Sequence, residues 1–253
     1  MGEESHHRAG EIAAIRKAIE LGMTLIDTAE MYGEGASEAL VGEAIRGHRD
    51  GVFLVTKVYP HNAGHRSAIQ ACERSLRRLG VDAIDLYLLH WRGSIPLEDT
   101  MAAFERLVGD GKIRSYGVSN FDTPDLEAIP DAAQIATDQI LYNLARRGAE
   151  SDLIPWLRAR HIPVMAYSPV EQGRLLSNQK LVEVAKRRGA TAAQIALAWL
   201  LNQPEVIAIP KAANTRHVEE NRAAAELLLS EEEVQALEIG FPRPRTRKPL
   251  EML

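Results

Sequence analysis

The chain has 253 residues, 45% of them apolar and 26% charged, with a formal net charge of -5. That balance excludes a disordered chain and offers no basic surplus for nucleic acid. The single cysteine, Cys72, excludes an internal disulfide, and no apolar run nears the roughly 20 residues a membrane-spanning helix needs.

The opening MGEESHHRAGE is polar and carries acids, unlike a signal or transit peptide, so a cytoplasmic protein is expected. Ile12, Ile15 and Ile19 then follow helical spacing up to Gly22, a C-terminal cap. MTLIDT (23–28) reads as the first strand. Ser37 is placed to cap a helix that carries Leu40, Val41, Ala44 and Ile45 and ends before Gly47. VFLVTK (52–57) is the next strand, followed by a stripe of Ile69, Cys72, Leu76 and Leu79 before Gly80. IDLYLLH (84–90) precedes a stripe of Met101, Phe104, Leu107 and Val108 before Gly111. SYGVSN (115–120) leads to Thr123 and Pro124, read as N-cap and first helical residue. ATDQILYN (136–143) and IPVMAYS (162–168) are strands, and helical patterns cover 179–188 and 191–202. VIAIPK (206–211) is the last strand, and Ser230 with Glu233 forms a capping box for a late helix.

Apolar strands alternating with amphipathic helices predict a parallel sheet covered on both faces, either doubly wound or an eightfold barrel. No dinucleotide fingerprint favours the first. Gly33 and Gly35 make half of a Gly-x-Gly match, but Glu38 stands where its third glycine belongs. The expectation is therefore an α/β protein with a (β/α)8 barrel, one domain over 1–253, and chemistry at the C-terminal ends of its strands.

Those ends carry titratable groups. The first strand finishes in Asp27 with Tyr32 in the loop beyond; the second finishes in Lys57 and the third in His90. Each alone reads as a rim residue in a salt bridge. Together they make a set for proton transfer. A phenol with a pKa near 10 is a poor acid at neutral pH. An adjacent ammonium favours the phenolate and is expected to lower that pKa, a carboxylate keeps the ammonium charged, and an imidazole donates to the same reacting oxygen. Such a site protonates a carbonyl oxygen, and the carbon then needs a hydride, which implies a reduced nicotinamide.

The chain resembles the aldo-keto reductases. The matching segments are LIDTAEMYG (25–33), LVTK (54–57), LYLLHW (86–91), GKIRSYGVSNF (111–121), QILYN (139–143), AYSP (166–169) and IPKAANTRHVEEN (209–221), in the family's order from about residue 8 onward. The resemblance implies reduction of aldehydes and ketones by NADPH on a (β/α)8 barrel. It places Asp27, Tyr32, Lys57 and His90 on the catalytic tetrad, with Tyr32 as general acid. It places Ser119, Asn120 and Gln139 on the nicotinamide carboxamide and Tyr167 against the ring. SPVEQGRLL (168–176) is similar to the loop that covers the pyrophosphate, with Ser168, Gln172 and Arg174 as candidates. Lys211 matches the 2′-phosphate lysine, and Glu220 and Asn221 match adenine contacts. Trp91 matches a substrate-lining residue.

The sequence departs from the family at Ala212, where Ser or Thr is usual, and at His217, where Arg is usual, with Arg216 one position earlier. NADPH is thus expected, with NADH the alternative. The family's N-terminal hairpin and first strand have no counterpart before the first helix. Either the natural start lies upstream or the barrel is truncated, with two open edges and poor stability expected. The tail FPRPRTRKPLEML, with Arg243, Arg245, Arg247 and Lys248, either lies across the barrel or is solvated. A short tail leaves the mouth open to small aldehydes. His6, His7, His61 and His65 lack acids or cysteines at ligand spacing and are read as surface groups, so no metal is expected. The remaining partner expectations are a small carbonyl substrate, no nucleic acid, no membrane and a monomer. Three alternatives stay open: a nicotinamide-binding regulatory module with little turnover, an inactive truncated reductase, and a Schiff-base lyase using Lys57.

Overall fold

The computed structural model describes residues 1–2, 7–244 and 246–253. His6 and Arg245 thus lie outside the described residues. The chain divides into two compact units: Met1–Thr137 with Ala212–Val218, and Asp138–Lys211 with Glu219–Leu253.

The first unit holds strands β1 (Leu25–Asp27), β2 (Phe53–Val58), β3 (Ile84–Leu89) and β4 (Ile113–Ser119). They are parallel neighbours in chain order. Helices α1 (Arg8–Glu20), α2 (Ala36–Ala44), α3 (His65–Leu79), α4 (Leu97–Gly109) and α5 (Thr123–Glu127) alternate with them. Every residue of β3 is buried, the burial expected of a parallel strand covered on both faces. Asp85 holds this end of the sheet in register. Its carboxylate accepts the Leu54 N–H at 2.8 Å and pairs with Arg49 at 2.8 Å and Arg114 at 3.0 Å. Helices α2 and α3 approach so closely at Gly42 that a methyl group there would strike the carbonyl of Leu79.

The second unit holds the parallel strands β5 (Asp138–Leu141), β6 (Val164–Tyr167) and β7 (Val206–Ile209). Its helices are α6 (Leu153–Arg158), α7 (Gln179–Arg188), α8 (Ala192–Leu201) and α10 (Glu231–Gly240). Helix α9 (Thr215–Ala224) begins among residues of the first unit and ends among those of the second. Thr191 with Gln194 and Ser230 with Glu233 form reciprocal capping boxes. In the tail Arg247 meets Asp152 at 2.7 Å and Arg243 meets Glu238 at 3.1 Å, both arginines staying largely exposed.

Three local expectations need correction. Ser37 is not a cap: α2 starts from Gly35 in the left-handed region (φ 93°), and the Ser37 hydroxyl accepts from buried Thr28 at 3.0 Å. The cap of α5 is Asp122, not Thr123; its carboxylate accepts the Asp125 N–H while Asp125 returns the bond. Val108 does not face the core, being 39% exposed on α4.

Candidate active site

Strand register explains why the titratable side chains meet. In the first unit Asp27 stands opposite Val55, and Lys57 opposite Leu88. Gly117 also stands opposite Leu88. Side chains alternate with a period of two along a strand, so Asp27, Lys57, His90 and Ser119 project to one face. His90 extends the ladder just past β3, donating its N–H to Val58 O at 3.1 Å.

Lys57 is fully buried at the centre of this face. Its ammonium donates to Asp27 Oδ2 at 2.7 Å and to Thr28 O at 2.8 Å, and reaches Tyr32 Oη at 3.5 Å. Tyr32 opens a tight turn in which Gly33 (φ 57°) and Gly35 (φ 93°) take left-handed backbone; these are the glycines of the half fingerprint. Its ring meets His90 edge-on, with centroids 5.7 Å apart. Asn120, left-handed at φ 60°, donates its amide to His90 O and to Ser119 Oγ, both at 3.1 Å. Asn tolerates that conformation better than most residues, and here it ties the end of β4 to His90.

Burial and charge set the protonation states. Burial pulls the Lys57 pKa down, but the Asp27 carboxylate and the Tyr32 oxygen outweigh it, and the result lies above the ordinary lysine value. For Tyr32 the expected lowering is reversed: burial outweighs the ammonium, and the phenol pKa is raised. Burial first, then the Lys57 charge, pushes His90 down to about 3. Near neutral pH the site therefore holds a neutral phenol, an ammonium and a neutral imidazole. His90 Nδ1 is buried with no hydrogen-bond partner among the described residues.

Trp91 is half-buried against His90 (4.9 Å between centroids) and edge-on to Tyr59 (5.7 Å). Tyr59 and Glu30 were not singled out from the sequence. Buried Glu30 accepts the Tyr59 N–H at 2.7 Å and the Asn62 amide at 3.1 Å, tying the loop after β2 to the loop that carries Tyr32. The one available signal is its place between Asp27 and Tyr32 in a single motif.

The remaining candidates divide between the units. Ser119 is buried and Asn120 half-buried at the end of β4 in the first unit. In the second, Gln139 is buried on β5 and Tyr167 is half-buried at the end of β6. Ser168 (φ 49°) and Gln172 (φ 54°) are left-handed, and Arg174 donates to Gln172 and Glu171, both at 2.9 Å. Lys211 is exposed, Ala212 intermediate and His217 exposed; the His217 ring lies 3.1 Å from the Asn214 amide and 3.4 Å from Arg216. Glu220 and Asn221 are half-buried on α9. His7, His61 and His65 are exposed. Among the described residues no group of three or more His, Cys, Asp or Glu side chains could hold a metal ion.

A sequence model of the aldo/keto reductase family matches residues 2–239. The methylglyoxal reductase YeaE of Escherichia coli K12 is 51% identical over all of this chain and 92% of its own length. A glyoxal reductase of Bacillus subtilis 168 is 34% identical over 89% of this chain and 81% of its own. Among solved structures, an aldo/keto reductase from Klebsiella pneumoniae in complex with NADP and acetate has a TM-score of 0.98 at 50% identity, covering 100% of this chain and 92% of that one.

Proposed function

The chain belongs to the aldo/keto reductase family and shares its (β/α)8-barrel fold, with seven of the eight strands among the described residues, and from this premise we propose that it reduces small aldehydes and ketones, 2-oxoaldehydes among them, with NADPH. One observation carries the reading: a buried ammonium held between a carboxylate and a phenol, beside a neutral imidazole. Methylglyoxal and glyoxal enter as candidate substrates because the two enzymes named above act on them.

The residues present suit the cofactor. A nicotinamide carboxamide offers donors and an acceptor, which the Ser119 hydroxyl, the Asn120 amide and the Gln139 amide can answer. A 2′-phosphate calls for a cation open to solvent, and Lys211 is one. Tyr167 would stack on the ring, Ser168, Gln172 and Arg174 would serve the pyrophosphate, and Ala212, His217, Glu220 and Asn221 would line the adenosine end. When bound, NADPH supplies the hydride that reaches the carbonyl carbon.

This chain's own residues handle the proton. Tyr32 Oη donates to the carbonyl oxygen as negative charge develops there. Burial keeps the phenol protonated until then, and Lys57 stabilises the phenolate left behind. Asp27 holds Lys57 charged, which also removes the free amine that Schiff-base chemistry needs. Neutral His90 donates a hydrogen bond to the same oxygen, and Trp91 borders the substrate. The proposal includes a monomer acting in the cytoplasm, with no nucleic-acid or membrane partner. No helix among the described residues is long and apolar enough to cross a membrane.

The test is loss of NADPH absorbance with methylglyoxal, glyoxal and a larger ketone, with NADH run in parallel. Turnover of the small 2-oxoaldehydes is expected, faster with NADPH than with NADH at equal concentration. Tight NADPH binding without carbonyl-dependent oxidation would overturn the proposal in favour of a regulatory module.

A further inference from the structure

The segment after β6 carries an unusual concentration of backbone strain. Ser168 (φ 49°), Glu171 (φ 50°), Gln172 (φ 54°) and Gly173 (φ 88°) all lie in the left-handed region. A residue other than glycine is strained there, so the surrounding structure must over-determine it. Glu171 does so. Its side chain is only 4% exposed. Oε1 accepts from Arg146 Nε at 2.9 Å and Nη2 at 2.8 Å, and from Arg174 Nη2 at 2.9 Å. Oε2 accepts the Asn143 amide at 2.9 Å, and the same amide nitrogen donates to Ser168 O at 2.9 Å. One buried carboxylate therefore joins both ends of the strained stretch to the loop after β5. Burial alone would raise its pKa, but the three donors outweigh that and hold it ionised.

The network continues outward. Arg146 Nη1 meets Glu251 Oε1 at 2.6 Å, so the C-terminal segment grips the same arginine that grips Glu171. Asn143 Oδ1 accepts the N–H groups of Ala145 and Arg146, which fixes the base of that arginine. All of these groups lie in the second unit.

We infer that Glu171 is a positioning residue for the cofactor loop, holding Ser168–Arg174 in the conformation that meets the dinucleotide phosphates, and that Glu251 extends this hold to the C-terminal segment through Arg146. The inference rests on the reading of 168–176 as part of an NADPH site. It requires a carboxylate and not merely a side chain of that shape. In Glu171→Gln an NH2 group would face guanidinium or amide donors, which cannot accept its hydrogens.

The test uses the full chain in two measurements. Without cofactor, amide exchange across 168–174 is expected to quicken about tenfold in Glu171→Gln and about threefold in Glu251→Gln, with the rest of the second unit unchanged. With cofactor, NADPH release followed by its fluorescence is expected to quicken about tenfold in Glu171→Gln, with Glu171→Asp in between. Should Glu171→Gln not fold, Arg146→Lys, which keeps the charge and loses the fork, is expected to quicken both about threefold. Unchanged exchange in these variants, or exchange raised evenly through the unit, would overturn the positioning role. Faster exchange with unchanged release would overturn the link to the cofactor. Failure of the wild-type chain to bind NADPH would instead defeat the functional reading, while the exchange measurement still judges the hold of Glu171 on the loop.

Discussion

At Lys57 a full charge sits where no solvent reaches it, and its partners decide what it can do. Asp27 compensates the charge at 2.7 Å, and Tyr32 Oη lies 3.5 Å from the ammonium. His90 shows the opposite outcome: burial first, then the Lys57 charge, presses its pKa down to about 3. The imidazole therefore contributes no ionisation to the pH dependence of kcat/KM between about pH 5 and 8. Stability does register it. An unfolded histidine binds a proton below about pH 6.5 while the folded one stays neutral, so this contribution is complete above about pH 6.5 and lost progressively as pH falls toward the folded value. Between about pH 7 and pH 5 the wild-type chain should lose about 2 kcal/mol more stability than His90→Gln in urea titrations. Equal losses would show that His90 is not held neutral by burial.

At the scale of elements, the sheet of the first unit depends on one acid away from the chemistry. Asp85 lies on β3 but accepts from Leu54 on β2 and pairs with Arg114 on β4. Asp85→Ala leaves a buried N–H unsatisfied and parts two arginines from their carboxylate. Both arginines retain some access to water, which limits the penalty. A destabilisation of about 2–4 kcal/mol is expected in thermal or urea unfolding, with kcat retained below the transition. A loss under about 0.5 kcal/mol would contradict the role given to Asp85. Elements of this kind were largely legible in the sequence, because β-branched runs and helical stripes repeat at a steady pitch. Their ends were less so. Thr123 preceded the proline and looked like the cap, but the Asp122 backbone is extended (φ -90°, ψ 177°) and its carboxylate reaches the third amide of the helix. Ser37 looked like a cap because a hydroxyl before an apolar stripe usually is one, yet a buried threonine took its hydroxyl.

Across the whole molecule, much of the candidate site could be read before folding, since an acid, an amine and an imidazole ended successive apolar strands and parallel register puts alternate residues on one face. What could not be read depends on depth. The direction of the Tyr32 pKa follows from how far the phenol is buried, which no motif states. The Glu171 clasp likewise forms only when the loops after β5 and β6 meet, and a lone glutamate in a Gly-containing loop carries no such signal. On the proposed function, Tyr32 delivers a proton to the substrate and does not hold the cofactor. The most direct measurement sets wild type beside Tyr32→Phe, with methylglyoxal-dependent NADPH oxidation and the Kd for NADPH determined on both. A loss in kcat/KM of about 100-fold or more is expected, with Kd changed less than about threefold, since general acid catalysis is worth about that much. Comparable turnover in both proteins, or a loss that tracks weakened NADPH binding, would contradict it.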